Sequence, residues 1–131
     1  MLVRLSIRSA LGALGIVGFA TGAAAQQPAA GSEPPASLTT EKSVASGRSI
    51  FHGDGNCLAC HGQALEGGPI APTLRAHKWK NGDGSYDAIL HIVMTGVDGT
   101  AMVSHPGGIS DPQAKLVAAY VWAVSHDKAK P

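Results

Sequence analysis

The sequence predicts an all-α fold, and three observations lead there. Three stretches place apolar residues at helical spacing between recognisable end signals. Nowhere do β-branched or aromatic residues alternate between turn signals, so no sheet is expected. The 17 glycines and 8 prolines fall largely between those stretches, which predicts long loops. A chain of 131 residues has room for one ordinary domain.

The first stretch runs from about Glu41 to Phe51, with Val44, Ile50 and Phe51 on one side and Gly47 between them. The second runs from Tyr86 to about Thr95. Ser85 stands at its N-cap, Asp87 lies in its first turn, and Gly96 follows where a C-terminal cap is wanted. Its apolar set is Ile89, Leu90, Ile92, Val93 and Met94. The third opens on Ser110-Asp111-Pro112-Gln113, an S-x-x-Q capping box with Pro in the first turn. Leu116, Val117, Tyr120, Val121 and Val124 then recur at helical spacing.

Ahead of the helices, residues 1–25 read as a secretory signal. Arg4 and Arg8 precede a small-residue apolar run, and Ala23-Ala24-Ala25 supplies a cleavage pattern. The run is interrupted by Gly12, Gly15, Gly18 and Gly22 and falls short of the ~20 strongly apolar residues a bilayer span wants. An uncleaved anchor is the alternative. Residues 26–38, QQPAAGSEPPASL, read as a flexible Pro/Ala-rich tether, and 39–131 as the folded domain. The expectation is a periplasmic protein with no membrane span after cleavage.

Ten Lys and Arg against nine Asp and Glu leave no basic stripe for phosphates, which excludes nucleic acid as a partner. A domain this small usually needs reinforcement. Two cysteines, Cys57 and Cys60, are all it has, and a disulfide closing so short a loop restrains the unfolded chain little.

Those cysteines belong to Cys57-Leu58-Ala59-Cys60-His61, the C-x-x-C-H signature of c-type haem attachment. Two thiols at this spacing reach the two vinyl groups of one porphyrin, and the next residue, His61, sits against the iron. An enclosed porphyrin would also supply the missing core. Competing readings are a C-x-x-C redox pair, which belongs beside a βαβ unit, and a zinc site, which needs a fourth ligand. A simple Cys57–Cys60 disulfide also stays open.

From about Gly47 to Ser125 the chain resembles a class I c-type cytochrome. Besides C-x-x-C-H, Gly47 and Phe51 look like the family's small-residue and aromatic pair on the first helix, and Val117 and Tyr120 like the positions packing across them. Pro72-Thr73-Leu74 resembles the Pro-x-Leu segment whose proline carbonyl accepts from the proximal imidazole. Gly99-Thr100-Ala101-Met102 resembles the Gly-Thr-x-Met loop of the distal ligand, although Val103 stands where the family commonly has Pro. The resemblance implies a small cytochrome c fold, three to five helices wrapped around one covalently attached haem c.

The residues themselves agree. His61 needs an acceptor on its other ring nitrogen, and a proline carbonyl offers one without a donor to satisfy. Pro72 is preferred to Pro69, which lacks Leu two residues on. For the distal ligand, Met102 lies in a Gly-rich loop, whereas Met94 sits among Ile and Val and reads as core filling. His105, three residues beyond Met102, is a rival ligand read as a solvated loop histidine. His52, His77, His91 and His126 share no metal spacing. The resemblance further implies that Thr100 bonds a haem propionate, and Trp79 is read as a propionate donor or as pocket packing.

With His61 and Met102 both ligating, the iron has no open site, and outer-sphere electron transfer is implied. No catalytic set is evident, so the chain reads as a carrier rather than an enzyme. Partners would be redox proteins, a dehydrogenase or a terminal oxidase or reductase. Two rival readings are a haem subunit of a periplasmic dehydrogenase or oxidase complex, and a five-coordinate haem protein that binds gas or peroxide.

Overall fold

The computed structural model describes residues 32–75 and 78–131. Four α-helices carry the fold: α1 (Glu41–His52), α2 (Leu58–His61), α3 (Tyr86–Thr95) and α4 (Asp111–Ser125). Among the described residues there is no strand, and no helix is long and apolar enough to cross a membrane. The signal at 1–25, the tether's first half at 26–31, and His77 lie outside the described residues.

The helix ends follow their sequence signals. Thr40 caps α1, its hydroxyl accepting from the Ser43 N–H at 3.1 Å. Ser85 caps α3, accepting from Ala88 at 3.2 Å, and Gly96 closes it at φ 77°. The Ser110–Gln113 box is formed, with the Gln113 side-chain carbonyl accepting from the Ser110 N–H at 2.9 Å.

α1 and α4 cross at the position of Gly47. A methyl group there would meet the Leu116 backbone and lie 2.7 Å from the Tyr120 Cβ. Only a hydrogen lets the helices approach so closely. Phe51 and Tyr120 then meet edge to face, ring centroids 5.7 Å apart, and both are almost fully buried, as is Val117. α3 packs against α4 through Ile89 and Val93.

Residues 32–38 depart from a free tether. They form an extended strap and a 3₁₀ turn at Ala36–Leu38, with Pro34 buried. The Ser32 carbonyl accepts from the Tyr86 N–H at 2.9 Å, and its hydroxyl from Asp87 at 3.1 Å. Two donors at the start of α3, which lack partners within the helix, are thereby satisfied from far away in sequence. Glu33 also pairs with Lys128 at 3.2 Å.

Candidate haem-binding site

α2 is a single turn that carries the C-x-x-C-H residues, with Cys57 at its N-cap. Its place is set by α1: the Cys57 N–H donates to the Phe51 carbonyl at 3.1 Å, and the His61 N–H to Cys57 at 2.9 Å. A one-turn helix has no propensity to form alone. It exists because the preceding helix and the loop after it hold both its ends.

The loop after α2 doubles back so that Pro72 reaches His61. The His61 Nδ1–H donates to the Pro72 carbonyl at 3.0 Å, which leaves Nε2 free for a metal. Burial holds the His61 imidazole below its ordinary pKa, with the Pro72 bond opposing. The neutral ring so favoured is the form that binds iron. Burial also pushes the Cys57 thiol up to about 11, and neighbouring Cys60 adds to the shift.

His61 opens onto a cavity of about 320 Å³. Its apolar wall is Phe51 from α1, Ile89, Ile92 and Val93 from α3, and Val117 and Val121 from α4. Met102, Thr100, Pro72, Leu74, Trp79 and Cys57 line it from the loops. A smaller groove of about 80 Å³ joins Cys57, Cys60 and His61 to Met102 and carries no charged residue. Lys80 and Asp98 line only the larger space. One imidazole nitrogen, one thioether, two thiols and an apolar wall around a common space fit a covalently held porphyrin.

The structure brings together every residue singled out in the sequence for this site, and it refines two roles. The Thr100 hydroxyl donates to the Val97 carbonyl at 2.7 Å and accepts from the Met102 N–H at 3.1 Å. Its one hydrogen is committed within the loop, so Thr100 shapes the backbone that presents Met102. Trp79 is half-buried and packs on Gly84, where a Cβ would run into the indole ring. Met94 packs against the core and is absent from the cavity wall. His105 takes a left-handed conformation (φ 47°), and its Nε2 meets Asp111 Oδ1 at 2.9 Å. That contact holds its ring on the start of α4. The hold of the strap on the start of α3 was not legible, because Ser32 acts there partly through its backbone carbonyl.

The chain matches, over residues 42–121, the family described as cytochrome C oxidase, cbb3-type, subunit III. It is similar to the Cbb3-type cytochrome c oxidase subunit FixPc of Rhizobium leguminosarum bv. viciae, with 35% identity over 103 residues. That match covers 72% of this chain and 35% of the relative, so the chain spans about a third of its curated relative's length. One similar solved structure is the reducing HAO-like protein complex of Kuenenia stuttgartiensis. Its TM-score is 0.55 at 28% identity, over 66% of this chain and 45% of that one. Another is cytochrome CL of the marine methylotroph Methylophaga aminisulfidivorans, with TM-score 0.57 at 18% identity, over 67% and 59% of the two chains. The second likeness bears on the fold alone.

Proposed function

Since the chain belongs to the family of cytochrome c oxidase, cbb3-type, subunit III, we propose that it is a periplasmic electron carrier whose iron is held between His61 and Met102. It is a mono-haem c-type cytochrome with one covalently bound haem c, and it moves electrons without being a catalyst itself. One-electron exchange between ferric and ferrous iron is the chemistry that haem supplies when bound.

The chain's own residues hold and tune the group. Cys57 and Cys60 attach it through thioethers. His61 keeps Nδ1–H on the Pro72 carbonyl, which sets the ring's rotation and presents Nε2 to the metal. Met102 supplies a thioether sulfur, which favours ferrous iron and raises the potential. The walls from α1, α3 and α4 exclude water, and Leu74 and Trp79 close the loop side. The carrying observation is the 3.0 Å bond from His61 to Pro72, which joins two separate sequence motifs inside a cavity that Met102 also lines.

The test is attachment. After acid-acetone extraction of protein matured in a periplasm, the polypeptide should keep the mass of the chain plus haem, cut after Ala25. An apo-mass chain would overturn the covalent assignment, and a retained leader would make the protein an anchored one. A second reading, a haem subunit of an oxidase or dehydrogenase complex, is favoured by the relative's description as an oxidase subunit. Co-purification with a donor dehydrogenase or a terminal oxidase distinguishes it from a free shuttle.

A further inference from the structure

The loop between His61 and Pro72 supports the ligand at both ends, and one side chain pins that loop to α1. His52 is the last residue of α1, half-buried, with its ring 5.2 Å from Phe51 and 6.3 Å from Tyr120. Its Nδ1 lies 2.9 Å from the Arg48 carbonyl, and its Nε2 lies 2.9 Å from the Gln63 carbonyl. Both partners are carbonyl oxygens, which only accept. A neutral imidazole has one N–H and one lone pair, so it can satisfy just one of them. The two bonds coexist only in the imidazolium.

We propose that His52 is a proton-gated positioning residue, its charged ring clamping the Gln63 carbonyl to the end of α1 and thereby fixing the loop that seats His61. This rests on the reading of His61 as the iron ligand.

The connection from Gln63 to the ligand is short. Gln63 follows His61 by two residues, and the Gly67 N–H closes back on the His61 carbonyl at 2.7 Å. Within the same loop, the fully buried Leu65 offers its carbonyl to the Leu74 N–H at 2.9 Å and to the Thr73 hydroxyl at 3.2 Å. Those bonds hold the strand of chain that presents the Pro72 carbonyl to His61. Loss of the proton from His52 turns a ring lone pair toward a carbonyl oxygen. The local contact with Arg48 lies within the helix, so the long-range contact with Gln63 is the one to open. Among the described residues, the ionisable groups that neighbouring elements bring to this region are few. Arg48 and Asp54 come from α1 and the turn after it, Glu66 from the loop, and Tyr120 from α4. The Glu66 carboxylate is engaged by the Ala64 N–H at 2.7 Å.

The test uses the ferrous holoprotein, with His52→Phe and His52→Gln as variants that keep a planar side chain. Nitrogen-15 NMR should show both His52 ring nitrogens protonated near pH 5 and one near pH 9. Amide exchange at Leu65, corrected for intrinsic chemistry, should run about fivefold faster with His52 neutral, as loss of one net hydrogen bond implies. In both variants it should be fast at every pH. The reduction potential should fall as pH rises through this step in the wild type, because a nearby positive ring disfavours ferric charge. Both variants should lack that step. A Leu65 exchange rate indifferent to the His52 proton, or a potential step kept in both variants, overturns the proposal. So does a His52 ring that is singly protonated at pH 5. Upfield-shifted ring protons of iron-bound His61 in the same spectra report the ligand assignment separately, so the two readings fail independently.

Discussion

Cys57→Ala/Cys60→Ala should unfold this domain, because the chain then cannot keep its cavity filled. The cavity measures about 320 Å³ and is walled by core residues of three helices. At ~24 cal/mol for each Å³ of apolar cavity, leaving it unfilled costs at most about 8 kcal/mol. A domain of this size has a net stability of only about 5–15 kcal/mol. Water entering through the loop side, where Lys80, Asn81, Asp98 and Thr100 offer polar partners, lowers the cost, but the helix walls stay unmatched. The double variant should therefore show little helix by far-ultraviolet circular dichroism and a broad, non-cooperative urea transition. Such coupling of cofactor to folding is familiar from small metallodomains. A cooperative, sigmoidal transition with the helix content of the holoprotein would refute the reasoning, for it would mean that the apolar helix contacts suffice. Cys57→Ala alone should leave one thioether and lower the holoprotein yield.

Met102→Ala should open a coordination position, admit carbon monoxide to ferrous protein and lower the potential. Met94→Ala should keep the haem spectrum and cost about 2 kcal/mol by denaturant unfolding, the low end for a half-buried methionine; a reversed pattern sinks the ligand assignment. Gly47→Ala should cost about 2–3 kcal/mol, since the added carbon must push α1 off Leu116 and Tyr120. The same change at Gly68, whose nearest atom would be the Cys60 carbonyl at 3.7 Å, should stay within about 0.5 kcal/mol; equal melting losses would refute the helix-crossing argument. Ser32→Ala should cost about 1 kcal/mol by removing the acceptor for Asp87, measured by thermal melts of the holoprotein.

What the sequence made legible and what it hid divide along a physical line. Ser85, Gly96 and the Ser110–Gln113 box mark helix ends because a cap is a local contract between side chain and backbone. The choice of Pro72 over Pro69 rests on the Leu two residues on, which marks a second motif rather than a lone proline, and the Pro72 carbonyl lies 3.0 Å from the His61 Nδ1. The single turn at Leu58–His61 was not readable as a helix, because four residues cannot show a period. The strap at 32–38 reads as tether because its composition is that of one. Its attachment comes from the Ser32 carbonyl and hydroxyl, which leave no apolar trace. The bond from the Thr100 hydroxyl to the Val97 carbonyl was hidden, because a contact three residues back in an irregular loop leaves no periodic signal.

The pairing of Glu33 with Lys128 has a consequence for how such a domain is built into larger proteins. Residues separated by most of the folded chain come within 3.2 Å, so the polypeptide enters and leaves the fold at one spot. A unit with adjoining ends can be spliced between other segments as a cassette, without stretching either neighbour. The same adjacency makes circular permutation feasible. A short linker from 131 to 32 would close the ring, with new ends opened at an exposed position away from the loops that present His61 and Met102. Electron-carrying capacity would thus be portable, joined to other folds through a single hinge point.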